Sequence, residues 1–520
     1  MKQAGGMAGG PEQAGPWYQW GPYLSERAWG TVREDYSADG DAWKYFPFDH
    51  AHARTFRWSE DGLAGLSDLL QDTCFAIALW NGKDRILKER LFGLDGSQGN
   101  HGEDVKEYYW YRDALPSHAW LRWRYHYPQA AFPYDDLIKV NAERDRTQPE
   151  YELIDTGVFD EDRFWVVDVD YAKATPTDIS IRITVTNAGP DEATIDVLPT
   201  MWFRNTWGWG RGHPVPEMRV DSGALLATHW RSGTYHLDPG PLPDGSAPKP
   251  VLCHNETNEE LLFNAENITA YPKDGIDRHV RLGEPSINPE NRGTKGAWWY
   301  RLTVPAGQSQ EIRLRLWKSP DNKRNPEGLT EDFDELFATR EAEADEFYGD
   351  LAPDNCPGPE LTAMRAAFAG MIWSKQFYRY DIQRWLAGDP NQPPPPPPDE
   401  RRNHTWEHVD AYDVISMPDA WEYPWFAAWD LAFHTVVFTH VDPSYAKYQL
   451  LLMCREWYMH PNGALPAYEW NFADINPPVH AWAALRVFEI DGTKDYAFLQ
   501  EVFQKLLMNF TWWVNRVDSE

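Results

Sequence analysis

The spacing of the apolar residues changes near residue 328, and this change constrains the fold more than any other feature of the sequence. Before it, apolar residues recur at every second position in two runs: Ile179, Ile181, Ile183 and Val185, and Ile312, Leu314 and Leu316. Turn residues lie beside these runs at positions 187–190 and 305–307. The alternation predicts strands with one face in water, joined as hairpins in a large antiparallel β-sandwich.

Beyond residue 328 the pattern has the period of a helix. One face repeats every three or four positions within residues 326–355: Phe333, Leu336, Phe337, Arg340, Ala344 and Phe347. We expect a linker helix there, followed over residues 356–520 by the first part of a helical domain. The last helix, around residues 496–513, needs a partner for its apolar face. The six prolines at 393–398 predict a stiff loop that interrupts this domain over residues 388–424.

Length and composition agree with a multidomain β plus α protein. The chain has 520 residues, of which 42% are hydrophobic and 28 are tryptophan. A chain of this length exceeds one compact core, so two or more domains are expected. Residues 1–20 are predicted to be a disordered N-terminus, and residues 21–325 the β-sandwich domain.

The charge and the cysteines restrict the partners and the compartment. A formal net charge of −31 argues against nucleic acid or an anionic membrane surface as a partner. Four widely separated cysteines fit reduced thiols better than disulfides or a zinc site: Cys74, Cys253, Cys356 and Cys454. No secretory signal and no membrane-spanning apolar run is visible, so we expect a cytoplasmic protein. The oligomeric state is not predicted.

Two aromatic segments of the helical region also carry carboxylates. Residues 425–434 include Trp429, Asp430, Phe433 and His434, and residues 467–482 form the second segment. Aromatic faces cover the C–H faces of a pyranose, and carboxylates accept hydrogen bonds from its hydroxyl groups. The two segments therefore predict a carbohydrate site.

Several stretches of the chain resemble bacterial members of glycoside hydrolase family 63. The similar stretches are residues 23–36, 99–108 and 127–134, the Trp429-Asp430 to Phe433-His434 motif, and Tyr468-Glu469-Trp470. The resemblance implies a β-sandwich joined by a linker to an (α/α)6 toroid. It also implies inverting hydrolysis of α-glucosidic or α-mannosidic bonds, as in the glucosidase that processes mannosyl-oligosaccharides and in mannosylglycerate hydrolases. An oligosaccharide or a small glycoside is the expected substrate, without a cofactor.

The same resemblance predicts that this chain holds only part of the toroid. Inverting hydrolysis uses a general acid and a general base about 6.5–9.5 Å apart. The loop that carries the family's acid and the glutamate that serves as base are expected beyond Glu520, so no catalytic residue is assigned and the chain alone is expected to be inactive. A non-catalytic carbohydrate-binding remnant is the alternative. A glycoside phosphorylase is disfavoured because no phosphate site is visible. An incomplete ring also predicts an exposed apolar stripe on the last helix.

The candidate substrate-binding residues follow from these motifs. The resemblance implies that Asp430 contacts sugar hydroxyls, and the full candidate set is Trp429, Asp430, Phe433, His434, Tyr468, Glu469, Trp470 and Asp474. Helix capping or an ion pair is the alternative role for Asp430, and a core position is the alternative for His434. Glu469 and Asp474 also have a spacing that permits an acid–base pair.

For each of two further groups of residues in the β region, the sequence is compatible with two roles. A polar loop either reaches over the pocket or holds the domains together: Asn100, His101, Glu103, Asp104 and Lys106. The cluster from Trp202 to Trp209 is either a sugar platform or a buried group between the sheets. The sequence contains no histidine and cysteine cluster with metal-ligand spacing, so no metal is predicted, although calcium held by surface aspartates stays open.

Overall fold

The computed structural model describes residues 15–27, 45–102, 104–210, 212–319, 326–395, 397, 407–417, 427–467 and 477–517. Within them, two large antiparallel sheets precede a mainly helical region. This arrangement confirms the predicted combination of a β-sandwich and a helical part.

The strands are, in chain order, β1 (Trp20–Gly21), β2 (Leu63–Asp68), β3 (Thr73–Trp80), β4 (Gly93–Leu94), β5 (Asp104–Val105), β6 (Tyr108–Ala114), β7 (Trp120–Pro128), β8 (Phe164–Thr175), β9 (Asp178–Asn187), β10 (Ala193–Phe203), β11 (Glu217–Asp221), β12 (Ala224–His229), β13 (Gly233–Pro239), β14 (Lys249–Cys253), β15 (Arg292–Gly293), β16 (Lys295–Val304), β17 (Ser309–Ser319), β18 (Lys375–Asp381) and β19 (Asp410–Ser416). The α-helices are α1 (Phe48–Ala51), α2 (Tyr134–Glu143), α3 (Glu259–Phe263), α4 (Gly275–Leu282), α5 (Glu331–Leu351), α6 (Gly358–Trp373), α7 (Ile382–Ala387), α8 (Ala428–Phe438), α9 (Pro443–Met453), α10 (Val479–Ile490) and α11 (Tyr496–Trp512).

The two large sheets pack their apolar faces against each other. One sheet has six strands in the order β1-β2-β3-β10-β16-β14, and the other has nine in the order β15-β11-β12-β13-β17-β9-β8-β7-β6. Alternate side chains of each sheet point inward and are fully buried, as in Ile181 and Ile183 of β9 and Ile195 and Val197 of β10. Such period-two burial on both inner faces is the basis of a sandwich core.

The predicted hairpins are instead connections between the two sheets. Strand β9 pairs with β8 and β17, whereas β10 pairs with β3 and β16. Both turns meet at Asn187, whose side-chain amide donates to the carbonyl oxygens of Asp191 and Val304 at 2.7 and 2.9 Å. The prediction was wrong because alternation shows which face of a strand is buried, but not which strand lies beside it.

The prediction of disorder over residues 1–20 is wrong for residues 15–20. A short 3₁₀ helix, Pro16–Gln19, leads into β1. The side chains of Tyr18 and Trp20 are buried in the main core, and the Tyr18 hydroxyl donates to Asp442 at 2.9 Å. Burial of large aromatic rings outweighs the flexibility that the preceding glycines suggest. Residues 1–14 lie outside the described part.

Helices α5 and α6 attach the helical region to the nine-stranded sheet. Helix α5 lies in the segment for which the sequence predicts a linker helix, and it packs Phe337 against Trp120 with ring centroids 5.8 Å apart. Helix α6 stacks Trp373 on Tyr111 of β6, with centroids 5.4 Å apart. The position of these helices against the sheet is therefore fixed by aromatic contacts. The domain boundaries themselves remain a prediction.

A small sheet lies where the sequence predicts a loop. Strands β18 and β19 pair antiparallel from Lys375↔Ser416 to Asp381↔Asp410. The predicted loop over residues 388–424 therefore contains a strand. At alternate positions of β19, the side chains of Ala411, Asp413 and Ile415 are buried. The sequence analysis missed this short strand because the nearby run of prolines indicates a loop.

Two compositional predictions can be compared with the structure. All four cysteines are free thiols; three are buried and Cys356 is half-buried, in agreement with the expectation of reduced cysteines. In the part of the chain that the structure describes, none of the helices is both long and apolar enough to cross a bilayer.

Candidate functional site

Helix α8 presents the first candidate motif on its outer face. Leu431, Ala432 and Thr435 point into the core, so the opposite face carries Trp429 and Phe433. Their side chains are 38% and 44% exposed, which is unusual for rings of this size. A helical period of 3.6 residues places positions four apart on one face, and this spacing brings the two rings together.

Helix α10 extends the aromatic surface with Trp482. The Trp429 and Phe433 ring centroids are 6.2 Å apart, and those of Phe433 and Trp482 are 5.5 Å apart. Trp482 is 46% exposed. It was not among the candidate residues, although it closes the second aromatic segment and its neighbours Ala483 and Ala484 are buried. Because Ala483 and Ala484 face the core, the helical period places Trp482 on the outer face of α10. This pattern of small residues beside Trp482 is the sequence signal that could have identified it.

A cleft opens beside Trp429 where α8, α10 and the end of α11 meet. Its volume is about 20 Å³, and its lining residues are Ala428, Trp429, Leu465, Pro477, Pro478, His480, Asn509, Trp512 and Trp513. Asn509 secures the floor because its side-chain amide donates to the Gly463 carbonyl oxygen at 2.9 Å. A space of this size holds about one water molecule, so a sugar would rest on the aromatic surface outside the cleft and not within it.

Asp430 supplies a carboxylate next to these rings. It lies in the first turn of α8 and is half-buried. Burial raises the pKa of Asp430 above its usual range, while its own backbone N–H acts in the opposite direction. The amide groups at a helix N-terminus favour a negative charge there. Asp430 can therefore accept hydrogen bonds from a ligand hydroxyl at the edge of the aromatic surface.

The His434 side chain contacts the small sheet and does not line the cleft. Its Nδ1 atom is 2.8 Å from the Ser416 hydroxyl oxygen at the end of β19. Burial lowers the pKa of His434 to about 4, so the imidazole is neutral at physiological pH. The Ser416 backbone N–H in turn donates to Gln449 at 3.2 Å. This geometry favours a positioning role, in which His434 orients α8 on the small sheet.

The second candidate motif falls outside the described residues. Tyr468, Glu469, Trp470 and Asp474 belong to it, and so does the proposed pairing of Glu469 with Asp474. The described chain stops at Ala467 on one side and begins again at Pro477, which lines the cleft beside Trp429. The role of these four residues stays a prediction.

The polar loop of the β region makes its contacts within that region. The Asn100 amide donates to the carbonyl oxygens of Asp145 and Gln148 at 3.3 and 3.1 Å, and His101 Nε2 lies 2.9 Å from the Gln148 carbonyl oxygen. These contacts secure the loop to residues 145–152. Glu103 is outside the described part, and a position of the loop over a substrate pocket remains a prediction.

Lys106 is the centre of a carboxylate cluster in the same loop. Its Nζ atom donates to Asp104, Glu150 and Glu152 at 2.7, 2.7 and 3.0 Å. Oxygen atoms of the three carboxylates lie within 4.8 Å of one another, a spacing that metal ligands also have. The ammonium group of Lys106 supplies the positive charge there, so a structural ion-pair network accounts for the cluster.

Two of the three tryptophans between residues 202 and 209 are buried. Trp202 and Trp209 are 6% and 9% exposed, and Trp209 Nε1 donates to Asp389 at 2.6 Å. Trp58 packs on Trp209 with centroids 5.0 Å apart and donates to the same carboxylate at 3.1 Å. The buried alternative therefore holds for Trp202 and Trp209, which lie in separate clusters of the core, whereas Trp207 is half-buried. Trp209 joins the sandwich to the segment after α7.

Comparison with known proteins agrees with a carbohydrate-related site. Residues 423–520 match the family described as "Mannosylglycerate hydrolase MGH1-like glycoside hydrolase domain". An uncharacterized protein of Saccharomyces cerevisiae is 44% identical over 549 aligned residues, which include 97% of this chain. The chain spans 50% of the length of that relative. The α8, α10 and α11 residues described above all lie within the matched segment.

Two solved structures share a weak likeness. One, described as a kojibiose phosphorylase from the human microbiome, is 10% identical with a TM-score of 0.25 and covers 66% of this chain and 43% of its own. The other, a polysaccharide lyase, is 9% identical with a TM-score of 0.19 and covers 66% of this chain and 56% of its own. Because both TM-scores are low, these two structures contribute nothing to the assignment of function.

Proposed function

We propose that the chain forms the substrate-binding part of an inverting α-glycoside hydrolase of family 63, located in the cytoplasm. Its substrate would contain α-glucosidic or α-mannosidic bonds, in an oligosaccharide or a glycosylated small molecule. The observation that carries this proposal is the exposed aromatic surface of Trp429, Phe433 and Trp482 beside the Asp430 carboxylate. This surface lies inside the segment that matches a glycoside hydrolase domain.

The chemistry of these groups suits a neutral sugar. A pyranose ring has an apolar C–H face, which packs on an aromatic ring, and a polar rim, which hydrogen-bonds to charged or amide groups. The rings of Trp429 and Trp482 supply the first contact and Asp430 the second. A hydrogen bond to an ionised carboxylate contributes about 1.5–3 kcal/mol, so Asp430 would fix the orientation of the bound sugar.

The carboxylates that perform hydrolysis remain a prediction. Inverting enzymes need an acid and a base on opposite sides of the scissile bond, and the family resemblance implies positions beyond Glu520. Asp430 is therefore proposed as a binding residue. Helices α8 to α11 would form part of an (α/α)6 toroid, in which paired helices surround the substrate.

The experiment is a titration of the chain with disaccharides and mannosylglycerate, followed by intrinsic tryptophan fluorescence. Asp430→Asn should weaken binding of the preferred sugar at least about tenfold, because one charge-assisted hydrogen bond is lost. Glu489→Gln is the matched control, since this exposed α10 carboxylate pairs with Arg486 on the helix surface. Equal affinity of Asp430→Asn and the parent would contradict the proposal.

Product analysis in the same samples separates hydrolysis from binding alone. Release of free sugar by the parent would show that the chain contains its own catalytic groups and would overturn the predicted positions beyond Glu520. Saturable binding without release would be consistent with those positions. The alternative of a non-catalytic carbohydrate-binding remnant is favoured only if the full-length protein also binds sugar without cleaving it.

A further inference from the structure

A second and larger cleft lies on the β-sandwich, away from α8 and α10. It opens where the outer face of the nine-stranded sheet at β6 and β7 meets helices α5 and α6, and its volume is about 460 Å³. Its lining includes Trp110, Arg124, His126, Glu341 and Arg365. None of these residues belongs to the site proposed above.

A row of aromatic rings runs across the sheet from this cleft. Trp110 is 44% exposed, and its ring centroid lies 4.6 Å from that of His126 on the next strand. His126 stacks on Phe164 of β8 at 4.9 Å. Phe159 lies 5.4 Å from Phe164, and Tyr108 lies 5.8 Å from Phe159. The rings on β6, β7 and β8 share the outer face because alternate positions of each strand point to the same side, and Phe159 packs on Phe164 and Tyr108 from the segment before β8.

The charged groups around Trp110 are paired with one another. Arg124 makes a bidentate ion pair with Asp168 at 2.7 and 2.8 Å, and Arg112 contacts the same carboxylate at 3.1 Å. Arg365 pairs with the buried Asp113. The arginines therefore do not provide an unneutralised positive field of the kind that binds phosphate groups or polyanions.

Paired guanidinium and carboxylate groups are nevertheless well placed to bind hydroxyl groups. Each guanidinium has five N–H donors and each carboxylate several acceptor positions, so an ion pair leaves some of both for a ligand. The side chains of Arg112 and Arg124 are 35% and 32% exposed, so their remaining donors are accessible to solvent. The ion pairs also hold the groups in fixed positions, which lowers the entropic cost of binding.

We propose that this face binds a neutral hexose oligosaccharide, with one sugar stacked on Trp110 and others following the aromatic row. Aromatic rings for the C–H faces and paired charges for the hydroxyl groups are the two features that such a ligand needs. The proposal does not depend on the hydrolase activity, because the residues lie on β6, β7 and β8. The site would bind one part of an extended saccharide while another part of the same saccharide occupies a different subsite.

The experiment is native gel electrophoresis of the chain in gels that contain glycogen, yeast mannan, heparin or no polymer. The parent should be retarded by glycogen or mannan and not by heparin. Trp110→Ala should reduce the apparent affinity for the retarding polymer at least fivefold, whereas Trp110→Phe, which keeps an aromatic ring, should stay within about threefold of the parent. Unfolding transitions of both variants establish that they are folded.

Trp230→Ala is the matched control. Trp230 is also an exposed tryptophan of the sandwich, 47% exposed, and stacks on His213 at 4.1 Å. Its substitution should leave retardation unchanged. The proposal is overturned if neither neutral polymer retards the parent, if heparin alone does so, or if Trp110→Ala migrates like the parent. Loss of retardation in Trp110→Phe or Trp230→Ala equal to that in Trp110→Ala would also overturn it.

Discussion

Two histidines of the helical region are buried as neutral groups, and they show how single residues couple the fold to pH. His434 contacts the Ser416 hydroxyl at 2.8 Å, and His480 Nε2 lies 3.0 Å from the Leu450 carbonyl oxygen. Burial lowers the pKa of each imidazole to about 4. Their usual pKa in an unfolded chain is about 6.5. The folded state therefore resists protonation, whereas the unfolded state accepts a proton.

The free energy of unfolding should consequently fall as the pH decreases from about 6.5 towards 4. A histidine whose folded pKa is depressed contributes its full stabilising effect above the unfolded pKa, and at pH 5 each loses roughly 2 kcal/mol. Urea denaturation at pH 7 and pH 5 measures this loss. His434→Gln should show a smaller loss than the parent, while His101→Gln, at an exposed position of the β region, should match the parent. Equal losses in His434→Gln and the parent would exclude this source of pH dependence.

The sequence identifies the chemistry of the α8 residues better than their orientation. Trp429, Asp430 and Phe433 were predicted together, and the structure places all three on the accessible side of α8. His434 came from the same motif but contacts Ser416, which is 18 residues earlier in the chain. Trp482 needed α10 to lie beside α8. These contacts depend on tertiary packing, which a local motif does not specify.

At the scale of secondary-structure elements, Asp442 joins three parts of the chain. Its Oδ1 accepts from the Tyr445 backbone N–H at 3.0 Å and so caps α9. Its Oδ2 accepts from the Tyr18 hydroxyl at 2.9 Å and lies 3.4 Å from Lys375 Nζ. Burial lowers the pKa of Lys375, and the Asp442 charge opposes that effect. The N-terminal segment, β18 and α9 therefore share one carboxylate.

Asp442→Ala should destabilise the protein by about 3–5 kcal/mol, because it leaves the buried Lys375 ammonium without its counter-ion. Asp442→Asn keeps a good capping side chain but replaces the Oδ2 acceptor with an NH2 group, so its cost measures the loss of the ion pair together with the Tyr18 hydrogen bond. The control is Asp495→Ala at the start of α11, where the carboxylate caps Phe498 and pairs with the partly exposed Lys447. That change should cost about 1 kcal/mol in chemical denaturation. A similar cost for Asp442→Ala and Asp495→Ala would contradict the role of Asp442.

Strand positions were predictable for β9 and β17, but strand partners were not. The alternating apolar residues give each strand a buried face, and both inner faces of a sandwich require the same pattern. The choice between a hairpin and a crossing to the other sheet depends on non-local contacts. Here the Asn187 amide donates to the Val304 carbonyl oxygen, and these two residues are 117 positions apart. The sequence therefore predicts which strand faces are buried between the two sheets, whereas the connections between the strands are known only from the structure.

At the scale of the whole molecule, helix α11 carries an apolar stripe that is exposed within the part of the chain that the structure describes. Phe503 and Phe510 are 62% and 63% exposed, and Leu507 between them is 46% exposed. The opposite face of α11 is buried through Phe498 and Val502. The sequence-based prediction of an exposed stripe on this helix is thus confirmed. Exposed rings on one helix face favour association, because each large apolar side chain gains about 1.5–3 kcal/mol on full burial.

The chain should therefore associate at high concentration, and Phe503→Glu with Phe510→Glu should reduce that association. Light scattering over a hundredfold concentration range should give a larger average mass for the parent than for this double variant. Gln500→Glu with Gln504→Glu is the matched control, because it adds the same charge to exposed polar positions of the same helix. The control should associate like the parent. Since surface substitutions usually change stability by less than about 0.5 kcal/mol, unfolding midpoints should stay close. If the control dissociates as fully as the phenylalanine variant, net charge rather than the apolar stripe governs association.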